Sequence, residues 1–149
     1  MSDNFLLYIP VDPYWQPAPD KAAEAVSVLK SIAPKSDVVE ANFEDEVRFY
    51  DPGQNWSGVE CSYCGADAEQ WWANVMAEAS ANRFDSLIVE TPCCGSNASL
   101  NDLRYIWPAA FGRFALEASN PNIADTTEEQ DQQIAQCLGI PMRKIWMRI

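Results

Sequence analysis

Four of the five cysteines of this chain lie in two short segments that each end in Cys-Gly. Residues 59–65 read VECSYCG, and residues 91–95 read TPCCG. If the two segments act together, the fold must bring them side by side. Three interpretations then compete: one shared metal ion, a reactive thiol pair, or small buried side chains with no ligand. The choice among them constrains both the architecture and the chemistry.

The first segment has the spacing of a metal half-site. Cys61 and Cys64 are separated by two residues, so both sulfurs can reach one tetrahedral Zn²⁺. The glycine that follows lets backbone amides turn towards the thiolates. The second segment departs from this pattern, because Thr91 stands where the first cysteine would be and the extra thiol is on Cys93. The predicted ligands of a structural zinc ion are Cys61, Cys64, Cys93 and Cys94.

Two other interpretations of these cysteines stay open. A CxxC motif near a helix N-terminus has a lowered thiol pKa and suits thiol–disulfide exchange. Free thiols that are simply buried are also common. Whether both Cys93 and Cys94 would bind an ion is left open as well. Cys137 is separate, because it lies beside Leu138 on the apolar face of a predicted helix and is expected to be a core residue.

The chain contains no histidine, which constrains any enzymatic function. Ser-His and Cys-His nucleophile pairs are thereby excluded, as is every metal site with a histidine ligand. A zinc-dependent enzyme would need an open coordination position, which a water could fill if only one of Cys93 and Cys94 binds. The function predicted first is therefore that of a non-enzymatic, zinc-stabilised protein-interaction module. The alternative hypothesis is an enzyme, either thiol-disulfide or zinc-dependent, and no catalytic residue is assigned.

The net charge of −12 limits the class of partner. A field of that sign repels phosphate backbones and anionic membranes, so nucleic acid and membrane partners are not expected. A protein partner with a basic surface fits better, and one version is an immunity or antidote protein that neutralises a basic toxin. The first residues lack a basic region, and no apolar run approaches the ~20 residues that cross a bilayer. A cytoplasmic location is therefore predicted.

Hydrophobic periodicity predicts regular elements on both sides of the cysteine region. Residues 4–9 and 142–149 have strand composition, and apolar residues recur at helical spacing over 20–33. The other predicted elements are one bent strand or two strands over 38–41 and 47–50, a strand over 113–118, and a helix that begins at Thr126 or Thr127 and ends at Gly139.

This order of elements suggests a fold. When residues 51–110 are set aside, the remaining order is strand, helix, strand, strand, helix, strand. That order is typical of a ferredoxin-like sandwich of α+β class, with a split β-α-β arrangement. A chain of 149 residues fits a single domain over 1–149, in which residues 51–110 form a zinc-knuckle insert. Other α+β sheet orders contain the same elements.

Two local details are also predicted. Asp67 and Gln70 have the spacing of a capping box, which would open a helix inside the insert. If the last strand lies inside the sheet, Lys144 and Arg148 are expected to pair with nearby acidic residues such as Asp37 or Glu40. If it lies at an edge, its basic residues would discourage another strand from adding there.

Taken together, the motifs resemble a family of small bacterial proteins of unassigned function. They are Asn55-Trp56 before CSYCG, the adjacent tryptophans at 71 and 72, TPCCG continuing to SLNDLRYIWPAAFGRF, and the closing LGIPMRKIWMRI. The resemblance covers about residues 50–149. It implies a cysteine-bound metal and no particular activity. The first knuckle of that family resembles CPxCG, and Ser62 replaces the proline here.

Overall fold

A computed structural model describes residues 2–149 of the chain. Three helices alternate with strands of very different lengths. In chain order the elements are β1 (Asn4–Pro10), α1 (Pro19–Ile32), β2 (Val38–Tyr50), β3 (Val59–Glu60), α2 (Glu69–Ala81), β4 (Ile88–Glu90), β5 (Asn97–Ser99), a 3-10 turn (Leu100–Asp102), β6 (Arg104–Tyr105), β7 (Ala110–Ser119), α3 (Glu128–Leu138) and β8 (Met142–Arg148). The α+β class is confirmed.

The four long strands form one antiparallel sheet in the order β2-β7-β1-β8. At the centre, Leu6 of β1 lies opposite Ala118 of β7 on one side and Trp146 of β8 on the other. Strand β2 is a single strand rather than two, and its pairing with β7 is irregular between Phe43 and Arg48. The irregular pairing explains why the sequence predicted either one bent strand or two separate strands over 38–41 and 47–50.

Helices α1 and α3 pack on the same face of this sheet. Their buried residues, which include Leu29 and Ile134, join Leu6, Tyr8 and Leu116 in one core. Successive residues of a strand point to opposite faces, so Leu7 packs on the far side, with Ile9 and Ile145. Strand β1 is buried on both faces, which explains its nearly continuous apolar sequence.

The helix ends agree with the sequence only in part. Thr127 and Gln130 form the predicted capping box of α3, and Gly139 ends that helix in the left-handed conformation. The predicted capping box of α2 is wrong. Ala68 is the N-cap residue there, and the Asp67 carboxylate accepts only from the amide of Glu69, at 3.0 Å. The Ala68 amide donates to the Val59 carbonyl at 2.9 Å, so the pairing of the first hairpin continues up to the residue before α2.

Strand β8 forms an edge of the sheet, and Lys144 does not pair with Asp37 or Glu40. Its ammonium group donates to Asp125 at 2.8 Å and to Asp131 at 2.9 Å. Part of this edge is covered by residues 52–54: the amide of Gln54 donates to the carbonyl of Arg148 at 2.7 Å. Gly53 is required there, because a Cβ would come within 2.2 Å of that carbonyl oxygen.

Residues 51–109, which lie between β2 and β7, are called the insert below. Its short strands pair as β3 with β6 and β4 with β5. An aromatic cluster joins the insert to the end of the sheet: Phe49 lies 4.8 Å from Phe111 and 5.6 Å from Trp72, centroid to centroid. Trp72 in turn lies 4.9 Å from Trp56. This packing fixes the position of the insert, and with it the cysteines.

A buried amide makes a second connection between the insert and the sheet. Asn101 accepts from the amide of Phe111 at 2.9 Å and donates to the carbonyl of Val11 at 3.3 Å. Both bonds cross from the 3-10 turn to the frame, so they fix where the chain re-enters β7. Within residues 2–149, no helix combines the length and the apolar character that crossing a bilayer requires.

Candidate metal centre

The four cysteines lie at the tips of two hairpins that have the same backbone. In the first knuckle (residues 61–66), the Cys61 amide donates to the Ala66 carbonyl at 2.8 Å, and the Gly65 amide donates to the Cys61 carbonyl at 3.0 Å. In the second knuckle (residues 91–96), the corresponding bonds run from Thr91 to Ser96 at 2.8 Å and from Gly95 to Thr91 at 2.7 Å. The two knuckles are equivalent in backbone structure.

Each knuckle depends on a glycine at the same place. Gly65 has φ of +74° and Gly95 has φ of +69°, a conformation that side chains other than glycine's rarely tolerate. Each glycine follows a cysteine, Cys64 or Cys94, and turns the chain back towards its own hairpin. The turn of each knuckle therefore explains why a glycine follows the cysteine: the glycine closes the turn that carries the sulfur atoms.

The fold brings all four predicted residues together. The sulfur atoms of Cys61, Cys64, Cys93 and Cys94 all lie within 4.8 Å of one another. The Cys61 and Cys94 sulfurs are 3.8 Å apart, and the Cys64 and Cys93 sulfurs are 3.4 Å apart. These are non-bonded distances, since a disulfide would be about 2.05 Å long. All five cysteine thiols are free in the part of the chain that the structure describes.

The spacing of the sulfurs fits one tetrahedral ion. Four thiolates about 2.3 Å from a zinc ion have sulfur–sulfur separations of roughly 3.8 Å. The separations of 3.4 and 3.8 Å lie close to that value. Four soft sulfur donors around one point suit zinc, and they also suit iron, which prefers similar ligands. The geometry supports a bound metal ion without naming the element.

The electrostatics of the cluster also favour a cation. Hydrogen bonds lower the pKa of Cys94 to about 6. The bond to Ser96 has the largest effect, and the bond to Thr91 has the second largest. The backbone amide of Cys64 lowers the pKa of Cys61. The pKa of Cys93 is raised, mainly by desolvation and next by hydrogen bonding to the sulfurs of Cys64 and Cys61. Sulfurs this close cannot all ionise unless a cation offsets their charge, so a metal ion would release the remaining protons.

Thr91 is the residue of this centre to which the sequence assigned no role. It stands at the position that Cys61 occupies in the first knuckle, and it is fully buried. Its hydroxyl accepts from the Ser96 amide at 3.0 Å and lies 3.1 Å from the Cys94 sulfur. Thr91 therefore supports a sulfur instead of supplying one. The fourth sulfur comes from Cys93, two positions later.

A signal for this equivalence is present in the sequence. VECSYCGADA at residues 59–68 and VETPCCGSNA at residues 89–98 share Val, Glu, Cys, Gly and Ala at matching positions. The shared alanines, Ala68 and Ala98, are both buried. The alignment on Cys-Gly that places Thr91 opposite Cys61 thus extends over ten residues, as expected for two copies of one hairpin.

Cys137 lies outside the centre, as expected. It is partly buried against the core between α1 and α3, and its sulfur lies 3.9 Å from the Lys21 carbonyl. Comparisons of the chain with protein-family models, curated proteins and solved structures find no match. The resemblance drawn from the motifs therefore stays a prediction, and the site has to be interpreted from its own geometry.

Proposed function

We propose that Cys61, Cys64, Cys93 and Cys94 bind one Zn²⁺ in a closed structural site, and that the ion stabilises the insert. The observation that carries this proposal is the convergence of the four sulfurs within 4.8 Å. The ion would connect two hairpin tips whose strands contain only two or three residues each. A metal contributes most where the chain buries little else.

A structural role is favoured over a catalytic one by the number of ligands. Catalytic zinc keeps one position open for water or substrate, whereas four protein sulfurs complete the tetrahedron. The chain also has no histidine to serve as general base. These two features support a binding protein rather than a zinc-dependent or thiol-disulfide enzyme.

The architecture proposed for this module is ferredoxin-like, in a single domain. The antiparallel order β2-β7-β1-β8, with α1 and α3 on one face, supports that assignment. The insert then occupies the connection between the second and third strands of the frame. Membership of the bacterial family that the motifs resemble is proposed on the same motifs. Four free thiols suit the reducing cytoplasm.

The partner proposed for the module is a protein with a basic surface, as in an immunity or antidote protein. The net charge of −12 supports a basic partner and disfavours nucleic acid. Tyr63, on the first knuckle, is 64% exposed. Large exposed aromatic side chains are common contact residues in protein interfaces. The metal would then position Tyr63 by fixing the knuckle that carries it.

Native mass spectrometry combined with thiol alkylation tests the metal site. The proposal expects one zinc per chain in the wild-type protein, with one thiol (Cys137) alkylated at once and the four others protected until a chelator is added. The four Cys→Ser substitutions at the site should each lower zinc occupancy, whereas Cys137→Ser, the matched control, should leave it unchanged. A metal-free chain with all five thiols equally reactive would contradict the proposal.

Affinity capture from the source cell tests the partner. Zinc-loaded protein should retain a basic protein in low salt and release it as the salt concentration rises, because exposed charges are screened. The Tyr63→Ser variant should retain less of it, and Tyr14→Ser, on another exposed tyrosine, is the matched control. Capture that is unchanged by salt and by Tyr63→Ser would contradict the proposed surface.

A further inference from the structure

The two knuckles supply their sulfurs differently. In the first, the ligands occupy the first and fourth positions, Cys61 and Cys64. In the second, the first position is Thr91, which is buried and held by the Ser96 amide at 3.0 Å. The second sulfur of that knuckle therefore comes from its third position, Cys93, next to Cys94 in the chain. One ligand of the centre is displaced from the regular knuckle geometry.

The four sulfurs accordingly fall into two pairs. Cys61 is buried, and Cys94, which lies 3.8 Å from it, also contacts the hydroxyls of Thr91 at 3.1 Å and Ser96 at 3.3 Å. Cys94 is exposed, as are Cys64 and Cys93, and the sulfurs of Cys64 and Cys93 contact each other at 3.4 Å. The first pair is anchored by its surroundings. The second pair faces solvent, and its sulfurs contact each other.

We propose that Cys64 and Cys93 form an oxidative modification site at which hydrogen peroxide makes a disulfide and releases the metal. This inference rests on the proposed metal site. One thiolate sulfur attacks a peroxide oxygen, the O–O bond breaks, and the sulfur becomes a sulfenic acid. The second thiolate attacks that sulfur, the S–O bond breaks, and the oxygen leaves as hydroxide, which takes up a proton to give water. Two thiolates, one peroxide and two protons give one disulfide and two waters.

The zinc ion is neither oxidised nor reduced in this step. It leaves because two of its four ligands have become a disulfide, which no longer carries the negative charge that binds it. Sulfurs 3.4 Å apart approach to about 2.05 Å, a small movement for two exposed side chains. Cys61 is less accessible to peroxide because it is buried. Cys94 is exposed, but its sulfur also contacts the hydroxyls of Thr91 and Ser96, whereas the Cys64 and Cys93 sulfurs contact each other at the shorter distance of 3.4 Å. These contacts favour the disulfide between Cys64 and Cys93.

The disulfide would replace the metal as the connection between the same two hairpin tips. Reduced, metal-free protein is expected to lose the packing of the knuckles, whereas oxidised, metal-free protein should keep the tips together. The two metal-free forms should therefore differ in hydrogen exchange at the amides of Cys61 and Thr91, which donate within the two knuckles. If peroxide only damaged the site, both metal-free forms would lose protection at these amides.

Peroxide treatment of the zinc-loaded full chain tests the inference. A chromophoric chelator should record one zinc released per chain, and peptide mapping should find Cys64 joined to Cys93. A thiol reductant with added zinc should restore the starting state. The informative variant is Thr91→Cys/Cys93→Ser, which moves the fourth sulfur to the buried first position. It should bind zinc and release it at least tenfold more slowly than the wild-type chain.

Each outcome has a separate meaning. A different first disulfide, such as one between Cys61 and Cys94, or release from the double variant at the wild-type rate, would overturn the inference and leave the metal site intact. A chain that takes up no zinc would contradict the proposed function, and the inference would fall with it. If the double variant does not fold, the mapped disulfide of the wild-type chain decides the question alone.

Discussion

The sheet with its two helices and the insert are stabilised in different ways. The sheet has strands of 7 to 13 residues, and its cores contain fully buried side chains such as Leu6, Leu29 and Ile134. The strands of the insert have two or three residues each. Most of its α2 helix is exposed, with Ala79 as its buried residue. The insert has a core of its own, which includes Val59, Leu100 and Leu103, but the two knuckles lie outside that core and depend on the four thiols.

This difference indicates where a metal ion would matter. Burial of apolar surface stabilises the sheet whether or not an ion is bound. The knuckles bury little apart from Cys61, Thr91 and the two flanking alanines, Ala68 and Ala98. Changes at the metal centre should thus affect one region and spare the other, and changes at the junction should affect both.

The largest expected effect comes from removing the metal. Zinc-finger peptides bind structural zinc with roughly 10–16 kcal/mol of apparent free energy, so its loss should unfold the knuckles. Hydrogen exchange of chelator-treated, reduced protein should show lost protection at the Cys61 and Thr91 amides. The amides of β1, between β7 and β8, should stay protected. Equal loss of protection in the knuckles and in β1 would contradict the proposed difference between the insert and the sheet.

The second effect concerns the junction. Phe111 is fully buried, and its ring centroid lies 4.8 Å from that of Phe49 and 5.2 Å from that of Phe84. Phe111→Ala should lower the free energy of unfolding by about 3–5 kcal/mol, because it leaves a cavity. Phe43→Ala is the matched control: Phe43 is 44% exposed, so a smaller loss is expected. Urea unfolding measures both, and equal losses would contradict the assignment of Phe111 to the junction.

The third effect lies in the sheet alone. The hydroxyl of Tyr8 donates to Asp131 at 2.7 Å and lies 3.1 Å from the Thr126 hydroxyl, and burial raises its pKa. Tyr8→Phe should lower the free energy of unfolding by about 1–2 kcal/mol, because buried polar partners lose a hydrogen bond. Zinc occupancy should not change. The exposed Tyr14 provides the control substitution, Tyr14→Phe. A Tyr8→Phe protein that loses zinc would show that the two regions are coupled.

The smallest effect is a pH dependence near β8. Desolvation opposes ionisation of Asp125, but hydrogen bonds from Lys144 and Trp146 lower its pKa. A lowered pKa contributes stability above the unfolded value of about 3.9, and that stability is lost as the pH falls through the folded value. Asp125 is exposed, so the contribution should stay below about 1 kcal/mol. Asp125→Asn should reduce the loss of stability between pH 5 and pH 3, as measured by urea unfolding.

The sequence predicted the frame well because its elements carry strong local signals. The alternation in β8, the helical spacing in α1, and the capping box and glycine of α3 are all visible in single segments of the chain. The four cysteines could be assigned to one site because both segments end in Cys-Gly and the first also has CxxC spacing. These motifs restrict where the sulfur atoms can lie. Their convergence within 4.8 Å is what that spacing predicted.

The features that the sequence did not predict depend on contacts between distant segments. Whether Thr91 supports a sulfur or simply fills space follows from its hydrogen bonds to Ser96 and Cys94, which require the folded hairpin. The partners of Lys144 depend on which strand lies at the edge of the sheet. Helix α2 begins after Ala68, whose amide pairs with Val59 in the first hairpin, so the local capping pattern at Asp67 was misleading there.

X-ray absorption at the metal edge of the purified protein shows whether the four cysteine sulfurs bind one zinc ion. The expected result is zinc at one equivalent per chain, with a single shell of four sulfur neighbours at about 2.3 Å. Cys93→Ser should replace one of these sulfurs with a lighter neighbour, and Cys137→Ser should leave the spectrum unchanged. A shell dominated by oxygen or nitrogen, or a well-folded insert that contains no metal while all its thiols are free, would contradict the proposed zinc site.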